Sequence, residues 1–149
     1  METLTDRLRE ELKTDEGCKY EVYLDHLGLP TFGIGHLITD KDPEHQMGMG
    51  TPVDEIRVNE AFEQDVHVTL DECRKLFNDW DNLPEEVKLI TANMMFNMGL
   101  PKMKAFKKMN AAIEDEDYIK ASEEMVDSKW YRTVPNRADR LVQRMKMVS

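Results

Sequence analysis

Leu4, Leu8 and Leu12 recur at helical spacing and predict an amphipathic first helix over residues 3–14, ending between Thr14 and Gly17. The period then changes. From Tyr20 to Asp25 the side chains alternate, with Tyr20, Val22 and Leu24 on one face and Glu21, Tyr23 and Asp25 on the other. The segment HLGLP reads as a turn and TFGIGHLIT as a returning strand, so the pair predicts a β-hairpin. Residues 39–50, polar and glycine-containing, read as a loop. Thr51, Pro52 and Asp54 form a helix-start signal, and Val58, Phe62, Val66, Leu70, Cys73 and Phe77 continue it at three- or four-residue steps. This predicts a helix of about 25 residues, a rod able to join two lobes. Pro84, Glu85 and Glu86 open another helix that ends near Gly99. Further helices are predicted at 103–113, 117–127 and 136–147, with Trp130 and Tyr131 between the last two.

Composition narrows the class. The 149 residues suffice for one domain with a real core. No apolar run is long enough to span a membrane, so stable membrane insertion is not expected. The start METLTDRLREEL has neither the basic end nor the apolar stretch of a secretion signal. The expected location is therefore a cytoplasm, with any action outside it dependent on another factor. Cys18 and Cys73, far apart, are expected to be free thiols. His26, His36, His45 and His67 show no paired metal-ligand spacing, and neither a metal nor a cofactor is expected.

The net charge of −10 is uneven: residues 1–80 carry −11 and residues 81–149 carry +1. Within the second part the run KMKAFKK and the tail from Lys129 to Lys146 are locally basic, an attraction for an anionic polymer or simply solvated helix faces. The overall sign speaks against nucleic acid as a partner.

The candidate chemistry lies in EGCKYEVYLDHLGLPTFGIGHL, residues 16–37. Cleaving a glycosidic bond requires an acid to protonate the departing oxygen and a base to activate water on the opposite face of the ring, hence two carboxyl groups in unlike surroundings. Glu16 and Asp25 are the candidates. Glu16 falls at a helix C-terminus, where the negative end of the helix dipole favours the uncharged carboxyl that a proton donor needs. Asp25 and Thr31 bracket the turn, so across paired strands they would stand about 5 Å apart and share one water. Gly33 and Gly35 remove side chains from the return strand, which either leaves open backbone for a sugar or merely eases strand twist.

These motifs resemble the phage-type lysozymes, the glycoside hydrolase family of the T4 lysozyme kind. FEQDV at 62–66, ITANMMFNMG at 90–99 and SKWYRTVPNRADR at 128–140 extend the resemblance over most of the chain. It implies an α+β, lysozyme-like fold in a single domain: an N-terminal hairpin lobe at about 13–58, a connecting helix at about 52–78, and an all-helical C-terminal lobe at about 79–149 packed with helix 3–14. The implied activity is a monomeric endolysin that hydrolyses the β-1,4 bond between N-acetylmuramic acid and N-acetylglucosamine in peptidoglycan, for phage release. Such an enzyme would wait in the host cytoplasm and reach the wall through a separate membrane pore.

Residue by residue, the resemblance implies Glu16 as general acid, Asp25 as the carboxylate that activates water and Thr31 as its partner. Inversion at the anomeric carbon is implied, with carboxyl groups about 6.5–9.5 Å apart. Arg137 would orient Glu16, and Leu37 and Phe96 would line the sugar cleft, although Phe96 also reads as core. His36 and Asp65 match a structural ion pair. Met109 and Glu124 stand where the best-known member has sugar-contacting Ser and Asn, so those contacts are not carried over. The segment between His36 and Phe62 is also shorter than in that member, and the acidic balance reverses its basic charge. Two other readings compete: a lytic transglycosylase, which needs no water-activating aspartate, and an inactive peptidoglycan-binding relative. Asp25 and Thr31 speak against both.

Overall fold

The computed structural model describes residues 1–148, and its packing forms two units: Thr5–Val68, and Met1–Leu4 together with the chain from Thr69 onward. The architecture is α+β, a small antiparallel sheet followed by a helical body. No described helix is long and apolar enough to cross a membrane.

In the first unit, α1 (Leu4–Glu16) carries the predicted leucine stripe, with Leu8 and Leu12 fully buried, and ends on Glu16 itself. Arg9 ties it to α2 (Glu55–Leu76) through a two-pronged pair: Nε donates to Glu63 Oε1 at 2.7 Å and Nη2 to Oε2 at 2.9 Å. Lys13 Nζ lies 6.0 Å from the centre of the Phe62 ring. These contacts accompany the grouping of most of α1 with the hairpin unit.

The sheet has three strands, β1 (Lys19–Leu24), β2 (Pro30–Gly33) and β3 (His36–Leu37), in that order. The single return strand expected over TFGIGHLIT is broken, because Gly33 and Gly35 take left-handed φ values of 65° and 66° and reverse the chain again. Ile34 at the apex is buried. In register, Val22 faces Phe32, Tyr23 faces Thr31 and Leu24 faces Pro30, while Thr31 also faces Leu37 and Phe32 faces His36. The unpaired edge of β1 is covered by residues 50–53. Gly50 N–H donates to Val22 O at 2.8 Å, Val22 N–H to Thr51 O at 2.9 Å and Val53 N–H to Tyr20 O at 3.0 Å. Thr51 and Pro52 are thus a sheet edge and not the helix start that the sequence predicts. That start comes at Asp54, whose Oδ1 accepts the Arg57 N–H at 2.8 Å.

The shortened loop is held by charge. Arg57 donates from Nε and Nη2 to the two carboxylate oxygens of Glu44 at 2.9 Å, and from Nη2 to Asp42 Oδ1 at 3.0 Å. Asp42 Oδ2 accepts from the Thr39 N–H at 2.9 Å and pairs with His36 Nε2 at 3.0 Å, while His36 Nδ1 pairs with Asp65 Oδ2 at 2.7 Å. The expected His36–Asp65 pair is therefore one half of a bridge: His36 joins α2 on one side and the loop on the other.

In the helical unit a single 3-10 turn at Trp80–Asn82 leads into α3 (Glu85–Met98), which begins after Pro84 and stops at Gly99, as the sequence predicts. The helix expected at 103–113 is two: α4 (Leu100–Lys104) and α5 (Lys107–Glu114). At the break Phe106 leaves helical geometry and packs edge-on to Trp130, with ring centres 6.3 Å apart. After α6 (Tyr118–Val126), the Trp130–Tyr131 segment forms a short α7 (Lys129–Thr133), started by Ser128 Oγ accepting the Tyr131 N–H at 3.1 Å, and α8 (Pro135–Lys146) closes the fold. The core of this unit is rich in methionine: Met94, Met95, Met103, Met109, Met125 and Met145 are all buried, flexible side chains that fill irregular space. Both cysteines are free, with Cys18 exposed and Cys73 buried, where burial pushes the thiol up to about 12.

The bridge at His36 gives a signed pH dependence. Burial of the ring opposes its charge, but Asp65 and then Asp42 outweigh it and raise the histidine pKa. This stabilisation is complete below the unfolded value of about 6.5 and fades as the pH rises through the higher folded value. Asp42 is half-buried, and the Thr39 N–H, His36 and Arg57 lower its pKa despite the desolvation. For Glu44, the bond from Arg57 does the same. Their contribution holds above about pH 4 and fades as the pH falls through the depressed values. Asp65→Asn is expected to flatten the loss of thermal stability above about pH 6.5, and Arg57→Ala to cost about 2 kcal/mol or more at pH 6 by leaving the buried Glu44 carboxylate without its cation and taking one of the partners of Asp42. Thermal unfolding across pH checks both.

Candidate active site

Glu16, Asp25, Thr31 and Leu37 all belong to the hairpin unit, and three different constraints place them. The first is steric. A Cβ built on Gly35 would lie 2.7 Å from Glu16 Oε1 and 2.9 Å from its Cδ. The acid at the end of α1 thus rests against bare backbone of the turn between β2 and β3. Gly33 does the same for Val58 of α2, whose Cγ1 is 2.9 Å from the place of the missing Cβ. What lies against the bare backbone of these two glycines is the protein's own carboxyl and core.

The second constraint is the turn itself. Asp25 Oδ1 accepts the N–H groups of Leu27 and Leu29, at 2.8 and 2.9 Å, while the Asp25 N–H donates to Leu29 O at 3.0 Å. The carboxylate closes the HLGLP turn on itself, an Asx-type arrangement that orients it without a contact from elsewhere.

The third is sheet register. Tyr23, not Asp25, stands directly opposite Thr31, so Asp25 and Thr31 are diagonal neighbours on one face, not the directly opposed pair at about 5 Å that the turn suggested. Leu37 flanks Thr31 from the other side and is exposed. Thr31 is buried and its hydroxyl donates to Leu29 O at 2.9 Å. With its one proton committed there, Thr31 Oγ1 can only accept from anything else.

Tyr23 is the residue that the sequence reading left out. Lys19 Nζ lies 4.6 Å from the centre of its ring. Its phenol pKa is raised first by burial, then by the negative charges of Glu16 and Asp25, while the Gly35 N–H opposes the shift. Both carboxyl groups thus act on this one side chain. The strand alternation already set Tyr23 beside Asp25, and that was the available signal.

The remaining expected residues lie in the helical unit. Arg137 is buried, and its Nε donates to Asn93 Oδ1 at 2.9 Å. Phe96 is half-buried on α3, and its neighbour Asn97 accepts the Trp130 Nε1–H at 2.9 Å. Met109 is fully buried, unable to take the place of a sugar-contacting serine, and Glu124 is half-buried on α6.

The phage lysozyme family model matches residues 13–147, the span that holds all of these positions. The chain belongs to the phage lysozyme family. It is 33% identical to a probable T4-type lysozyme 2 of Dictyostelium discoideum, over 93% of each chain. It is 30% identical to the pre-baseplate central spike protein Gp5 of Enterobacteria phage T4 over 90% of this chain and 26% of that one, and 28% identical to the peptidoglycan hydrolase gp36 of Pseudomonas phage phiKMV over 92% and 15%. Membership makes the protein a glycoside hydrolase. Gly35→Ala is expected to displace Glu16 and strain the turn, lowering kcat by about 10- to 100-fold while the far-ultraviolet spectrum stays that of the folded protein. Steady-state kinetics on cell walls with circular dichroism check this.

Proposed function

We propose that the protein cleaves the β-1,4 bond between N-acetylmuramic acid and N-acetylglucosamine in peptidoglycan by inversion. Glu16 gives its proton to the departing glycosidic oxygen. A water attacks the anomeric carbon from the opposite face, and Asp25 takes that water's proton as the new bond forms. The observation that carries this is the pairing of a free Asp25 Oδ2 with an acceptor-only Thr31. Asp25 Oδ1 is used by the turn and the Thr31 proton by Leu29 O, so a water here donates one hydrogen to Asp25 Oδ2 and the other to Thr31 Oγ1. Both hydrogens are then held, and the lone pair of the water is left for the sugar.

Peptidoglycan as substrate is supported by the family and by the name of the phiKMV relative. Release of phage from the host, from a cytoplasmic store through a separate membrane pore, completes the proposal. Arg137, Phe96 and Leu37 enter it only through their match to the family motif, as a residue acting on the acid and two contacting sugar. Glu16→Gln is expected to lower wall clearing by about 10²- to 10⁴-fold, the usual worth of a general acid. Thr31→Val, equal in shape but without the acceptor, should lose about 10- to 100-fold in kcat with KM little changed. Reducing-end release from purified peptidoglycan measures both, and clearing by Glu16→Gln equal to that of the wild type would refute the assignment of the acid.

A further inference from the structure

The basic run singled out in the sequence is not used by the chemistry above. Lys102, Lys104, Lys107 and Lys108 are all exposed within one seven-residue stretch, and among the described residues none of them has a carboxylate partner. Arg9, Arg57, Arg74 and Arg144, by contrast, are ion-paired. The stretch is also pre-shaped. Buried Met103 and Met109 anchor it, the Phe106 N–H donates to Met103 O at 3.1 Å, and Asn110 Nδ2 donates to the same oxygen at 3.0 Å across the corner.

The charge order opposes what the helix wants. Lys107 and Lys108 occupy the first turn of α5 and Glu114 its last, so cations sit at the positive end of the helix dipole and an anion at the negative end. Stability alone would favour the reverse. In a protein of net charge −10, an unpaired cationic corner kept at a cost to its own helix fits attraction to an anion outside the molecule.

We propose that residues 102–108 form an electrostatic docking site for the carboxylates of the peptide stems of peptidoglycan, holding the wall while the glycan is cut. This rests on peptidoglycan as the substrate. The attraction is expected to be strong in dilute salt and to weaken within physiological ionic strength, where screening acts over about 8 Å. It would offset the repulsion between an acidic enzyme and an anionic wall.

The test uses the full chain carrying Glu16→Gln, sedimented with purified sacculi freed of phosphate polymers, across a salt series. Lys102→Gln/Lys104→Gln/Lys107→Gln/Lys108→Gln should weaken binding about tenfold at low salt and make it nearly salt-independent. Sacculi whose carboxylates have been converted to amides should bind the unaltered lysines equally weakly. Lys107→Glu/Lys108→Glu should raise the midpoint of thermal unfolding while lowering binding, a divergence that a structural role for the lysines would not produce. Unchanged binding by the four-fold variant overturns the site, and undiminished binding of the parent chain to amidated sacculi overturns the carboxylate as ligand. In chains that keep Glu16, hydrolysis of a short peptide-free oligosaccharide should be equal with and without the lysines. Its absence in both would count against the proposed cleavage and leave the docking result standing.

Discussion

The hairpin depends on one missing atom. Gly35 has no Cβ, and the place where it would be lies 2.7 Å from an oxygen of Glu16. An L-residue here would have to move the acid, and at φ 66° it would also strain the backbone. Glu16 is thus seated against a hollow in the turn, and the same turn divides what would be one strand into β2 and β3. Three-strandedness, the seat of Glu16 and the burial of Ile34 share that cause. From this follows the rest of the face: β2 presents Thr31 between Tyr23 and Leu37, and the turn before it presents Asp25.

The face is also economical in its use of hydrogen bonds. Asp25 and Thr31 both find their partners within the loop that carries them, Asp25 in the N–H groups of Leu27 and Leu29 and Thr31 in the carbonyl of Leu29. Each is left with acceptor capacity only. A pair of acceptors cannot bind each other, and what bridges them must be a double donor such as water. The charged clamp of His36, Asp42, Glu44 and Arg57 does the corresponding structural task on the loop, tying a short, polar segment to α2 where no helix is present to pack.

Much of this was legible in the residues. The period change from helix to strand located the hairpin, and Pro84 and Gly99 marked the limits of α3, because those signals act over a few neighbouring residues. Glu16, Asp25 and Thr31 were legible as a string. What the string could not convey was register: whether Thr31 faced Asp25 or Tyr23 depended on hydrogen bonds across strands. Thr51 and Pro52 mimicked a helix start because a cap signal is local, while their pairing with Tyr20 and Val22 involves residues some thirty positions earlier. The break at Phe106 came from a ring contact with Trp130, equally remote. The glycines were read correctly as an absence of side chains, but only coordinates say what fills the space.

The central claim is that acid and water act on opposite faces of the sugar, with the water bridged between Asp25 and Thr31. The most direct measurement is proton NMR of the reducing-end anomers formed in the first seconds of cleavage of purified peptidoglycan, before mutarotation. The account predicts that the α-anomer is released first. A β-anomer, or products ending in anhydro sugars, would contradict it.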